Sequence, residues 1–145
     1  MDSYRQQEII ENLPGIVLIS HGPFAISLLK SAEMLFGQSP NVSAFALEVG
    51  DDVEAFRKEF SEEYNRMPEG SIIMMDLFGG TPCNQTIFYA KENHMDIPAI
   101  CGMNLPMLID AVTGREMCSG KELIEKLQTT GKDGVVKLDL ETIIK

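Results

Sequence analysis

A histidine, His21, directly follows the apolar run 15–20, and Asp76 follows a second apolar run, 71–75. A neutral imidazole has one protonated nitrogen and one free lone pair. A carboxylate that accepts a hydrogen bond from the protonated nitrogen fixes the tautomer and leaves the other nitrogen free to attack an electrophile. If the two runs are neighbouring strands, these residues predict a histidine nucleophile oriented by an aspartate.

Residues that are typical of phosphate-binding turns lie next to this pair. They are Gly22, Gly79, Gly80 and Thr81. Backbone N–H groups of glycine turns and helix N-termini bind phosphate oxygens, and the threonine hydroxyl adds a donor. Because phosphoryl transfer depends largely on positioning and electrostatics, we expect neither a metal nor a cofactor. The absence of Walker and GxGxxG motifs in the sequence argues against an independent ATP-using kinase.

Taken alone, each residue of the pair has an ordinary explanation. By itself, His21 or Asp76 is more often a turn or capping residue than a residue that does chemistry. Their paired placement after two apolar runs favours chemistry. The second histidine, His94, lies in the polar stretch 91–95 and is predicted to end a helix in solvent.

Strands and helices are predicted to alternate along the chain. Apolar runs predict strands at 15–20, 42–49, 71–76, 97–101 and 135–138. Helical spacing with capping residues predicts helices at about 24–36, 53–64, 82–93, 106–113 and 120–128, with Thr81 as the N-cap of the third. The fold class is therefore α/β: three layers, with a mainly parallel central sheet of order 2-1-3-4 and helices on both faces. In that order His21 and Asp76 meet at the carboxyl edge of adjacent strands, where open α/β sheets bind ligands.

Length and composition restrict the remaining possibilities. A chain of 145 residues forms one domain, and its formal net charge of −10 argues against nucleic acids and anionic membrane surfaces. The sequence has no apolar run of membrane-spanning length and no signal peptide, and its three cysteines lack CxxC spacing, so we expect a cytoplasmic protein. Residues 1–14 are predicted to be an extension with one or two helical turns around Ile9, Ile10 and Leu13.

Four segments in order resemble a known family: 15–22, 29–35, 76–84 and 102–108. The chain resembles the enzyme IIA component of the mannose/fructose/sorbose-type phosphoenolpyruvate-dependent sugar phosphotransferase system. The resemblance implies that His21 accepts a phosphoryl group from the histidine-containing phosphocarrier protein and passes it to a IIB component. IIB in turn phosphorylates the sugar that enters through the membrane subunits IIC and IID.

The resemblance also assigns further residues. Asp76 matches the family's orienting aspartate, and Thr81 matches the hydroxyl residue after its double glycine. A family loop near the active site matches Asn104, Leu105 and Pro106. Family members are homodimers that exchange a C-terminal strand, for which 135–138 is the candidate. Residues 15–145 would then form the IIA domain.

Three alternatives stay open at this point. The chain could be the phosphoryl-donor subunit of a dihydroxyacetone kinase, which would use His21 to serve a different acceptor. A receiver-like signalling domain would use Asp76, but such a domain needs an acidic pair after the first strand, where this chain has Ser20 and His21. A regulatory domain that kept the fold would need neither residue. The sequence does not identify the sugar.

Overall fold

The computed structural model describes residues 1–5 and 8–144. The strands are β1 (Asp2–Tyr4), β2 (Ile16–His21), β3 (Val42–Leu47), β4 (Ile72–Met75) and β5 (Ala99–Cys101). The helices are α1 (Phe24–Phe36), α2 (Val53–Arg66), α3 (Thr81–Glu92), α4 (Leu105–Gly114), α5 (Gly120–Asp133) and α6 (Leu140–Ile143). None of these described helices is both long and apolar enough to cross a bilayer.

One sheet contains all five strands, in the order β1-β3-β2-β4-β5. The four strands β3, β2, β4 and β5 are parallel, which confirms the predicted order 2-1-3-4. Strands β2 and β4 lie at the centre and are buried on both faces, so their apolar residues are continuous rather than alternating. The residues that follow β2 and β4 therefore lie at the same edge of the sheet.

Two hydrophobic cores lie on the two faces of the sheet. Ile16 and Leu18 point into the core beneath α1, α4 and α5. Val17 and Ile19 point into the opposite core, which α2 and α3 cover. This alternation, in which successive side chains of β2 enter different cores, fixes the register of the strand. The predicted three-layer architecture is confirmed.

The prediction of helical turns in the N-terminal extension is wrong. Residues 8–14 form no helix, and residues 2–4 add β1 antiparallel to β3. β1 forms because the outer edge of β3 carries backbone groups that need partners. Residues 8–14 form no helix because the Asn41 side chain binds their backbone: it accepts the N–H of Ile10 (2.7 Å) and donates to the carbonyls of Ile10 (2.8 Å) and Leu13 (2.6 Å). Tyr4 donates its hydroxyl proton to Glu33 on α1 (2.8 Å), and the Arg5 guanidinium lies 4.9 Å from the centroid of the Phe45 ring.

The C-terminal end also departs from expectation. Residues 135–138 form no strand in the single chain, and their neighbourhood is exposed: Val135 is 82% exposed and Val136 76%. Helix α5 instead continues to Asp133, five residues beyond its predicted end at Gln128. In the described part of the chain, residues 135–138 pair with no strand, although the outer edge of β5 is unpaired. Strand exchange with a second copy stays a prediction.

Candidate functional site

His21 and Asp76 meet at the carboxyl edge of the sheet, as predicted. His21 is the last residue of β2, and Asp76 directly follows β4. The Nδ1 atom of His21 lies 2.9 Å from Oδ2 of Asp76, and the same carboxylate oxygen accepts the backbone N–H of His21 at 3.0 Å. One carboxylate oxygen therefore holds both the main chain and the ring of the histidine.

This contact decides which ring nitrogen can react. A carboxylate only accepts hydrogen bonds, so Nδ1 carries the proton and Nε2 carries the free lone pair. The side chain of His21 is 45% exposed, whereas that of Asp76 is 14% exposed. The arrangement presents Nε2 to a large partner while the orienting carboxylate stays sheltered.

The ring of His21 packs against Gly80. A Cβ atom placed on Gly80 would lie 2.4 Å from Cε1 and 3.0 Å from Nε2 of the imidazole, which is closer than real contacts allow. Gly80 is needed here because it has no side chain, and not for its conformation, since its φ of −76° suits any residue. Its partner Gly79 has a φ of +83°, a turn conformation that favours glycine.

The predicted N-cap of α3 is corrected by one residue. Gly80 is the N-cap, and Thr81 is the first helical residue. The imidazole occupies the space beside residue 80, so the chain must pass that point without a side chain before the helix begins. The N-terminus of α3, with its unpaired N–H groups, lies directly next to the histidine.

Gly22 shapes the turn that follows His21. Its φ is +56°, and its N–H donates to the carbonyl of Leu47 at the end of β3 (2.7 Å). Ser20, which is fully buried, accepts the N–H of Ala25 (2.8 Å) and donates to the carbonyl of Gly22 (3.0 Å). Our sequence analysis missed Ser20 and Leu47, although a serine inside an otherwise apolar strand was a usable signal.

The segment Asn104, Leu105 and Pro106 begins α4. Asn104 caps this helix by accepting the N–H of Met107 (3.0 Å), and its amide donates to the carbonyl of Gly131 on α5 (3.0 Å). Asn104 also lines a cleft of about 600 Å³ together with Phe78. Neither His21 nor Asp76 lines this cleft. The segment 104–106 therefore adjoins the candidate site through Phe78 and not through the histidine.

A second cleft, of about 690 Å³, lies at the opposite, amino edge of the sheet. Its described lining includes Ser71, Pro98 and Ser119 but neither a histidine nor a cysteine. Although it is the larger cleft, it has none of the residues predicted to do chemistry. His94, the second histidine, is exposed just beyond α3, in agreement with the sequence analysis.

The sequence matches a known protein family over most of its length. Residues 15–128 match the family described as PTS system fructose IIA component (EIIA-man). The chain is 31% identical over 117 residues to the PTS system fructose-specific EIIA component of Bacillus subtilis, covering 79% of each chain. It is also 31% identical over 136 residues to the PTS system mannose-specific EIIAB component of Escherichia coli, but spans only 41% of that longer protein.

Solved structures give the same result. The fold is similar to that of phosphotransferase system component EIIA from Streptococcus agalactiae, with a TM-score of 0.78 and 28% identity over 85% of this chain and 95% of that one. The class that these likenesses define is the IIA component of sugar phosphotransferase systems. Because the family match covers most of its length, the chain belongs to the PTS fructose IIA component family, and it is a component of a phosphotransferase.

Proposed function

We propose that this protein carries a phosphoryl group on Nε2 of His21, between the histidine-containing phosphocarrier protein and a IIB component. The observation that carries the proposal is the 2.9 Å contact between Nδ1 of His21 and Asp76, which leaves Nε2 as the exposed nucleophile. Family membership supports the same function.

The chemical step transfers a phosphoryl group from a histidine nitrogen of the donor to Nε2 of His21. The phosphorus–nitrogen bond of the donor's phosphohistidine breaks as a bond from Nε2 of His21 to phosphorus forms. The imidazole of His21 becomes positively charged, and the Asp76 carboxylate stabilises that charge while Nδ1 keeps its proton. When the phosphoryl group passes on to a histidine of IIB, the ring of His21 becomes neutral again.

Backbone groups beside the ring supply further stabilisation in this proposal. We expect the N–H groups of Thr81 and Cys83 in the first turn of α3, together with the Thr81 hydroxyl, to bind phosphate oxygens on Nε2, because Gly80, the N-cap of this helix, lies against the imidazole. Gly79 and Gly80 form the turn that leads into that helix. The N–H of Gly22 already donates to Leu47, so Gly22 contributes through the shape of its turn.

The surface around His21 supports a protein rather than a small molecule as the phosphoryl donor. Four apolar side chains follow the carboxyl ends of β2, β3 and β4 and are 44–105% exposed: Phe24, Val49, Leu77 and Phe78. The acidic residues Glu48, Asp51 and Asp52 lie on the loop after β3 at the same edge. An apolar surface with an acidic margin fits a partner whose own margin is basic, and such charge complementarity speeds encounter.

We also propose that the protein acts as a homodimer whose C-terminal segments are exchanged. Among the described strands, none pairs with the outer edge of β5. The segment after α5 carries exposed apolar side chains that a partner could bury: Val135, Val136, Leu138, Leu140, Ile143 and Ile144. A second copy would satisfy both needs if residues 135–138 of one chain paired with β5 of the other.

The remaining assignments rest on the same proposal. Residues 15–145 form the phosphoryl-carrying domain, and residues 1–14 are an extension to it. The protein works in the cytoplasm, where the phosphocarrier and IIB act, and it serves the membrane subunits IIC and IID only through IIB.

The test is phosphorylation of the purified chain by phosphoenolpyruvate, enzyme I and the phosphocarrier protein. We expect an acid-labile, alkali-stable phosphate on the native chain and none on His21→Asn. His94→Asn is the matched control, because it makes the same change at an exposed residue whose φ of +51° suits asparagine, and it should be labelled normally.

His21→Asn should also keep its free energy of unfolding within about 1 kcal/mol of the native value, since the ring is half exposed. An unlabelled native chain would refute the proposed function. Transfer of the label to a dihydroxyacetone kinase subunit instead of a IIB component would favour the alternative acceptor.

A further inference from the structure

Two cysteines lie almost in contact beside the candidate site. Cys83 is in the first turn of α3 and buried, and Cys101 is the last residue of β5 and half-buried. Their Sγ atoms are 3.8 Å apart, and both thiols are free. The third cysteine, Cys118, lies in the connection between α4 and α5.

Each cysteine lies close to a residue that contacts His21. Cys101 pairs with Met75 across β5 and β4, and Asp76 directly follows Met75. Cys83 lies three residues after Gly80, which packs against the imidazole. A bond between the two sulfurs would therefore tie α3, whose N-cap is Gly80, to β5, the neighbour of the strand that Asp76 follows.

We propose that Cys83 and Cys101 form a reversible disulfide under peroxide and that this disulfide lowers phosphoryl acceptance at His21. The second half of this proposal rests on the proposed function. The oxidant is hydrogen peroxide, which is small enough to reach a half-buried sulfur through the 600 Å³ cleft that Cys101 lines.

The reaction balances as two steps. The Cys101 thiolate attacks peroxide, the oxygen–oxygen bond breaks, and a sulfenic acid and one water form. Cys83 sulfur then displaces the sulfenic oxygen as a second water, and the sulfur–sulfur bond forms. Both thiol protons end in water, both sulfurs are oxidised by one electron, and the peroxide is reduced. A dithiol such as dithiothreitol reverses the bond by exchange.

The environment of Cys101 makes this pair slow to oxidise. Burial, the contact with Cys83 and the nearby Asp76 carboxylate raise the pKa of the Cys101 thiol to about 12. Because the thiolate is the reactive form, little of it exists at neutral pH. The pair should stay reduced in ordinary conditions and respond only to sustained peroxide.

Disulfide formation has a geometric cost at the site. A disulfide has an S–S distance of about 2.05 Å, so the sulfurs must approach by nearly 2 Å from their present 3.8 Å separation. Side-chain rotation supplies part of this movement, and the first turn of α3 and the end of β5 supply the rest. A misplacement of a reacting group by about 1 Å can lower the rate 100-fold. We therefore expect the oxidised protein to accept a phosphoryl group about tenfold more slowly.

The experiment exposes the full-length protein to a sustained excess of hydrogen peroxide and compares it with the reduced protein. Peptide mapping by mass spectrometry should find Cys83 joined to Cys101 with the loss of two hydrogen atoms. The initial rate of phosphorylation should fall about tenfold and return after dithiothreitol. Cys118→Ser should behave like the native protein in every respect.

Cys83→Ser and Cys101→Ser each remove the disulfide independently. If one variant fails to fold, the other still provides the test. Each should be phosphorylated at the native rate and keep that rate after the same peroxide treatment. Failure of the native protein to form the 83–101 link overturns the proposal, and so does a link that leaves the rate unchanged. If the reduced protein accepts no phosphate although the link forms, it is the proposed function that fails.

Discussion

At the scale of single residues, Asp76 determines which nitrogen of His21 is available. Oδ2 accepts both the backbone N–H and Nδ1–H of the histidine, so the ring has one orientation and one tautomer. We expect Asp76→Asn to slow phosphoryl acceptance roughly 10- to 100-fold, because the amide no longer stabilises the charge that develops on the ring. Rapid-quench measurement of the labelled fraction gives the rate, and an unchanged rate would refute the orienting role.

Gly80 allows a second test at this scale. A Cβ atom on Gly80 would lie 2.4 Å from Cε1 of the imidazole, so Gly80→Ala must displace the ring from its present position. We expect phosphorylation to slow at least about tenfold. The free energy of unfolding should fall by under about 1 kcal/mol, because the φ of residue 80 suits alanine.

Gly15→Ala is the matched control for this change. A Cβ atom there would meet Sδ of Met67 at 2.4 Å, an equally close approach, but at the opposite end of β2 from His21. This variant should lose stability and keep its phosphorylation rate. If both variants lost the same fraction of activity, the Gly80 effect would be a general folding defect.

At the scale of elements, the parallel strands explain why the site could be predicted. The apolar runs before His21 and Asp76 indicated central strands, and parallel neighbours bring their carboxyl ends to one edge whatever the length of chain between them. The packing of Gly80 against the ring could not be predicted in this way, because it depends on where α3 begins relative to the imidazole. The role of Asn104 was equally hidden, since its amide reaches Gly131 in another helix.

Strand β1 shows a different limit of sequence reasoning. Three residues are too few to display a period, and the strand exists only because β3 offers it an unpaired edge. The strand and the residue after it reach both helical layers: Tyr4 bonds Glu33 on α1, and Arg5 forms an ion pair with Glu59 on α2.

Deleting residues 2–5 should therefore reduce stability without affecting chemistry. We expect the free energy of unfolding to fall by about 2 kcal/mol, measured by urea denaturation, with the phosphorylation rate unchanged. Tyr4→Phe, which keeps the strand but loses the bond to Glu33, should cost about 1 kcal/mol. An unchanged midpoint after the deletion would mean that β1 contributes nothing to the folded state.

At the scale of the whole molecule, the C-terminal segment is the largest departure from a self-contained fold. Six large apolar side chains after residue 134 are 59–82% exposed. Residues 135–138 could be predicted as apolar and extended, but they pair with no strand among the described residues. Under the proposed exchange their partner is β5 of a second copy, which one chain cannot reveal.

A chain truncated after Gly134 tests the proposed exchange. We expect the full-length protein to sediment as a dimer and the truncated one as a monomer, because the truncation removes the segment that would pair with β5. Val136→Asp keeps the backbone but places a charge in the apolar segment, so it should also shift the protein from dimer toward monomer. Equal masses for all three proteins would refute the exchange.

The position of β1 has a consequence for how far association can proceed. Subunits with two open sheet edges can add to one another without end and grow into fibres, whereas subunits with one such edge stop at a pair. Here β1 covers the β3 edge and presents only three residues of its own, so growth by strand addition is confined to β5. We expect the N-terminal strand to limit polymerisation, because its loss would expose the longer β3 edge as a second growth point on every subunit.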